Sequence, residues 1–109
     1  MITRIEALEL LKSHLNNENL IKHCIAVGAI MEGLAEKLSL DAEQCYIAGL
    51  LHDIDFEYTK DNPEKHGFIA MDTLKDADIT AEMKNAILSH TGNHQIMTDM
   101  DKCLWASDP

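Results

Sequence analysis

The chain holds six histidines and nineteen acidic residues among 109, and several of them fall where water should not reach. His52 and Asp53 close the apolar run "AGLLHDI"; His23 interrupts "IKHCIAVGAIM"; His66 and His90 follow at wider intervals, and Asp108 ends "LWASD". A His-Asp dipeptide alone means little, because with these residue counts it arises by chance about half the time. Several such groups on apolar faces mean more. Burying carboxylates and imidazoles without partners is costly, so they must pair with one another or with a cation. Mixed nitrogen and oxygen donors suit Mn, Fe, Co, Ni or Zn as divalent ions better than any thiolate-selecting metal.

Helical spacing turns position into direction. His23 flanks the stripe of Val27 and Leu34, and His66 shares a face with Ile69, Ala70 and Thr73. His90 lies over Met83, Ala86 and Ile87, while Asp108 follows Leu104 and Trp105 on the inward side. Asp53 comes at the C-terminal end of a helix, where free carbonyls already carry partial negative charge, so a cation would relieve the conflict. His66 falls in the first turn of its expected helix, where positive charge is disfavoured, and is expected to be neutral with a lone pair to donate.

The elements that must position these groups are helical throughout. Thr3 and Glu6 form a capping-box pattern ahead of Ile5, Leu8, Leu11 and Leu15, which predicts a helix over 4–15. Leu20, Cys24, Val27, Met31, Leu34 and Leu38 mark the strongest helix, and Asp41 with Gln44 caps a third, apolar nearly all round, that runs to Leu51. Asn62 and Pro63 predict the start of a fourth helix reaching Lys75; Thr80 starts a fifth ending near Ser89 or His90; Thr98 with Asp101 starts a sixth. The class is all-α, a bundle of about six helices in a single domain over 1–109, with no repeat or linker.

Composition narrows the partners. A net charge of −10 repels polyanions, which argues against extended nucleic acid. A small phosphorylated substrate remains compatible, since bound divalent cations reverse the local field. Cys24, Cys45 and Cys103 are widely spaced in apolar stretches and read as reduced core thiols. With no apolar segment after a basic start, and with "CIAVGAIM" as the longest apolar run, the expectation is a cytoplasmic protein that does not enter a membrane.

The order His23, His52-Asp53, His66, His90, Asp108 on a helical chain resembles the HD-domain superfamily of metal-dependent phosphohydrolases, and small bacterial members of the HDIG type in particular. "KHCIAVGAIMEGLAEKL" is similar to that family's first metal helix, "AGLLHDID" to its second and "LWASDP" to its final Asp segment. The resemblance covers residue 20 to the terminus. It implies that His23, His52, Asp53 and Asp108 hold one metal, that His66 and His90 serve a second ion in binuclear members, and that Asp53 bridges the two and orients a metal-activated water. Asp55 stands where HDIG sequences carry glycine, and Glu57 follows, so the loop is unusually acidic; Asp55 reads either as a ligand or as a solvated residue. The family continues with further helices past the final Asp, so either the chain is a fragment or another subunit covers the site, and exposed apolar surface would then favour a homo-oligomer.

Lys60 and Lys65 flank the site and are candidates to grip a substrate phosphate, against the plainer reading of surface lysines. His14 and His94 read as ordinary helical or loop histidines, and Trp105 as an anchor of the last helix. The expected reaction is hydrolysis of a small phosphate ester or anhydride, with nucleotides among the candidate substrates. The same donors also admit a di-iron oxygenase or a noncatalytic metal- or nucleotide-binding module.

Overall fold

Polar side chains that satisfy the free N–H groups of a first turn open most of the helices. Thr3 accepts from the Glu6 amide while Glu6 reaches back to the Thr3 amide, and this capping box starts α1 (Arg4–His14). Asn17 caps α2 (Glu18–Leu38), which ends on Ser39 in the left-handed conformation, and Asp41 caps α3 (Ala42–Leu51). A short α4 (Phe56–Thr59), a 3-10 turn (Pro63–Lys65) and α5 (Phe68–Thr73) follow. Thr80 then caps α6 (Ala81–Ser89), with Met83 sulfur reaching back to the Thr80 amide, and a capping box of Thr98 with Asp101 starts α7 (Asp99–Ser107). The computed structural model describes residues 1–92 and 98–108, and among these the fold is all-α.

The apolar character of α3 places it at the centre. Cys45, Ile47, Ala48, Gly49, Leu50 and Leu51 are all buried, and α1, α2, α6 and α7 pack around them. The crossing of α2 over α3 is especially close: a side chain at Gly49 would put its Cβ 2.9 Å from the Cα of Gly28. Arg4 ties α1 to this pair. Its guanidinium donates to Glu43 at 2.9 and 3.0 Å, contacts Glu32 and lies 3.8 Å over the Tyr46 ring. Cys24, Cys45 and Cys103 are buried free thiols, as expected.

Two predicted stripes shift. Ile5 and Leu38 are exposed, and Ala7, Leu11 and Leu15 on one side and Ala35 on the other take the inward positions. A helix that meets its neighbours on one side buries only a narrow band, and spacing does not say where that band is centred. Trp105 is 52% exposed, so it does not anchor α7; Met100, Cys103 and Leu104 do.

The predicted helix over 63–75 is broken. Pro63–Lys65 forms only a 3-10 turn, Asn62 makes no side-chain cap, His66 is extended, and Gly67 has φ +90 before α5 begins. Space also demands glycine here, since a Cβ at Gly67 would lie 2.8 Å from Thr91 Cγ2 and 3.1 Å from Leu88 Cδ1. His66 therefore does not sit on a helical face with Ile69, Ala70 and Thr73. None of the helices in the described residues is long and apolar enough to cross a membrane.

Candidate metal centre

The end of α3 sets the geometry. After Leu51 the chain turns tightly, with the Ile54 amide donating to Leu51 O and the Phe56 amide to Asp53 O, so His52 and Asp53 stand together on the end of the central helix. Buried Leu50, Leu51 and Ile54 fix that turn from below. Burial of each such side chain contributes roughly 1.5–3 kcal/mol, which holds the polar pair in an apolar frame.

Four histidines converge on this turn from separate segments. His23 comes from α2, His52 from the end of α3, His66 from the extended residue before α5, and His90 from the end of α6. Their rings meet edge to face, with centroids 5.3 Å apart for His23 and His52 and 5.0 Å apart for both His52–His90 and His66–His90. Asp108, the residue capping the end of α7, closes the ring with its Oδ1 3.0 Å from His23 Nε2 and 3.4 Å from His52 Nε2.

Asp53 sits in the middle and divides its oxygens. Oδ2 lies 3.2 Å from His52 Nε2 and 3.7 Å from His23 Nε2, while Oδ1 lies 3.1 Å from His66 Nε2 and 3.2 Å from His90 Nε2. Two donor groups result: His23, His52, Asp53 and Asp108 in one, and Asp53, His66 and His90 in the other, each within 4.8 Å mutual reach. All six histidine and aspartate positions singled out from the sequence are thus brought to one focus.

The ring nitrogens are oriented for ligation. His52 Nδ1 donates to Gly49 O at 2.6 Å, and His90 Nδ1 donates to Ile87 O, so the Nε2 of each is the nitrogen that points inward. His52 Nε2 is buried and has no hydrogen bond of acceptable geometry, although two carboxylates lie near it. A buried nitrogen in that position fits an ion shared with those carboxylates.

Electrostatics follow from the crowding. Burial opposes ionisation of Asp53, but His52, His66 and His90 outweigh it and hold the carboxyl well below the usual range. Asp108 is likewise lowered, its burial outweighed by His52. Burial works to lower His52, yet Asp108 and Asp53 lift it to about 10. For His66 the same contest, with Asp53 and Asp55 against burial, ends at about 9. The expectation that a helix N-terminus would keep His66 neutral is therefore corrected: no helical turn surrounds it, and two carboxylates do.

Asp55 is neither a solvated residue nor a member of either donor group. It is fully buried and accepts from His66, Gly67 and Ala70. Glu57 accepts from the amides of Asn16 at 2.7 Å and Asn17 at 3.1 Å, and so ties the site loop to the α1–α2 junction. The acidity of the loop is thus spent on backbone amides of other segments and on an imidazole. The signal for Asp55 in the sequence was Gly67, which a continuous helix over 63–75 does not need. His14 makes a surface contact to the Tyr58 hydroxyl at 2.6 Å, and His94 lies outside the described residues. Lys60 and Lys65 are both exposed and, among the described residues, neither forms an ion pair.

Comparison with known proteins bears on the same segment. The family described as HD domain matches residues 20–108. Among curated proteins the chain is similar to ribonuclease Y of Chlorobium chlorochromatii, 33% identical over 76 residues, covering 70% of this chain and 14% of that protein. It is also similar to ribonuclease Y of Clostridium perfringens (31% over 81 residues, 74% and 16%) and of Thermotoga petrophila (29% over 91 residues, 84% and 18%). The chain thus spans less than a fifth of the length of these relatives. No solved structure matches it.

Proposed function

The chain belongs to the HD-domain family, and from that premise we propose that it is a metal-dependent phosphohydrolase acting on a small phosphate ester or anhydride. The observation that carries this reading is the division of Asp53, one oxygen toward His23 and His52 and the other toward His66 and His90. In this reading His23, His52, Asp53 and Asp108 hold one divalent ion, and Asp53, His66 and His90 hold a second. Such ions supply Lewis acidity toward phosphoryl oxygens and lower the pKa of a coordinated water.

The chain's own contribution is placement. Gly49 O and Ile87 O fix the tautomers of His52 and His90, so that both offer Nε2. Asp53 stays ionised among three imidazoles and is the group best placed to orient a nucleophile between the two positions. Lys60 and Lys65, on the loop and turn after α4, are proposed to attract the substrate phosphate as point charges. A nucleotide meets these requirements as well as a simple phosphomonoester does.

The ribonuclease relatives favour a second reading, cleavage of an RNA phosphodiester. Against it stands the net charge of −10, which repels a long polyanion. A diribonucleotide and a long RNA separate the two readings, because only the first escapes most of that repulsion.

The test is metal analysis of protein purified without chelator, run beside turnover assays: phosphate release from phosphomonoesters and nucleotides, and chromatography of the nucleotide products from cyclic nucleotides, a diribonucleotide and a long RNA. Bound divalent metal and turnover of a small substrate are expected, with both lost in His52→Ala and Asp53→Ala. Variants that keep the wild-type metal content would refute the assignment of the centre, and turnover of RNA alone would overturn the small-substrate reading.

A further inference from the structure

Asp55 lies two positions past the central carboxylate, has no exposed surface, and uses both oxygens fully. Oδ2 accepts from the amides of Gly67 at 2.8 Å and Ala70 at 2.9 Å, so it caps α5 from a distant part of the chain. Oδ1 faces His66 Nδ1 at 2.6 Å. A carboxylate can only accept, so the proton of that bond belongs to the ring. His66 Nδ1 is then the donor, and Nε2, 3.1 Å from Asp53 Oδ1, is the nitrogen that faces the centre.

Two other histidines of the centre obtain this orientation differently. His52 and His90 each use a carbonyl three residues back on their own helix, Gly49 O and Ile87 O. His66 sits on extended backbone between a 3-10 turn and α5; the carbonyl three residues back, Pro63 O, accepts its backbone amide at 3.1 Å, and its Nδ1 meets the carboxylate of Asp55. A side chain supplied from elsewhere must do the same work, and an anionic acceptor also makes the imidazole a stronger donor to a cation than a carbonyl does.

We infer that Asp55 is the positioning residue of the second metal position, fixing His66 as the tautomer that presents Nε2. The inference rests on the metal-centre reading above and deepens it. Asp55→Asn tests it with almost no change of shape. The amide oxygen of the variant must stay with the two backbone N–H groups, so its NH2 faces His66 Nδ1. That ring nitrogen then has to accept, which moves the proton to Nε2 and removes the lone pair from the centre.

The experiment is calorimetric titration of the full chain, stripped of metal, with Zn²⁺, for wild type, Asp55→Asn and His66→Gln. Wild type is expected to take up two equivalents. Both variants should keep the first site within about threefold and lose the second by about tenfold or more, the range typical for loss of such an outer partner. A second measurement does not depend on how well any variant folds. Long-range ¹H–¹⁵N correlation spectra of zinc-loaded wild type should show His66 protonated at Nδ1 and metallated at Nε2. Two equivalents bound unchanged by Asp55→Asn, or a His66 ring metallated at Nδ1, overturns the inference. A wild type that takes up no zinc overturns instead the reading of the centre on which it rests.

Discussion

Substituting Gly49 by alanine probes how closely α2 and α3 must approach to bring His23 to His52. The added Cβ would lie 2.9 Å from Gly28 Cα and 3.0 Å from both Gly28 N and Met31 Cγ, where ordinary contact begins at 3.4 Å. Met31 can turn aside, but the Gly28 contacts are backbone on a packed helix. The helices must therefore part by about 0.5 Å, and overpacking of this kind typically costs about 1–3 kcal/mol. Replacing a helical glycine returns roughly 0.5–1 kcal/mol by limiting the unfolded chain. The net expectation for Gly49→Ala is a loss of up to about 2.5 kcal/mol, centred near about 1.3, which at roughly 4–8 °C per kcal/mol is a measurable fall in melting temperature.

Gly33 supplies the control. It lies on the same helix as Gly28, but a Cβ there meets nothing within 4 Å. Gly33→Ala is expected to stabilise by up to about 1 kcal/mol. Urea unfolding of the three proteins measures both effects, and metal titration reads the displacement at the centre. Gly49→Ala should weaken metal retention and Gly33→Ala should leave it alone. A Gly49→Ala protein as stable as wild type, with full metal affinity, would show that the close crossing is not what sets the site.

Two further predictions follow from the titrating groups. His52 at about 10 and His66 at about 9 carry protons at neutral pH that a metal must displace; affinity should therefore fall as pH falls, by up to about tenfold per pH unit for each proton released, and titrations at pH 6, 7 and 8 giving one constant would refute this. Burial, with the nearby charge of Asp53, pushes Cys24 up to about 12, and burial chiefly lifts Cys45 to about 11. Both thiols should resist iodoacetamide at pH 8 in the native protein and react on unfolding in urea, as mass spectrometry of the adducts would show.

Much of the centre was legible in the sequence because helices convert spacing into direction. His23, His90 and Asp108 lie on or at the ends of regular helices, and His52-Asp53 at the end of the most apolar one, so periodicity put them beside apolar faces, while their meeting at one site, and the place of Asp108 in it, came from the resemblance to the HD-type order. His66 reached the same focus by a route that spacing does not encode. It stands on extended backbone held by Asp55, and the positive φ of Gly67 ends the helical reading just where the ring turns inward. The stripes of α1 and α2 were recognisable as stripes, but whether Ile5 or Ala7 faces the core depends on which neighbours a helix meets. Asp55 was the hardest to read, because its partners lie 11 to 15 positions away and form no periodic pattern.

The pairing of His23 with Asp108 joins residues 85 positions apart. Closing a loop of that length costs about 4 kcal/mol in chain entropy, more than one polar contact returns, so α2 and α7 must already be docked before the two side chains meet. The hydrophilic cluster is then expected to form late on the folding route, with little of it in place at the rate-limiting barrier. Conservative substitutions among its members should accelerate unfolding and leave the refolding limb of a chevron almost where it was.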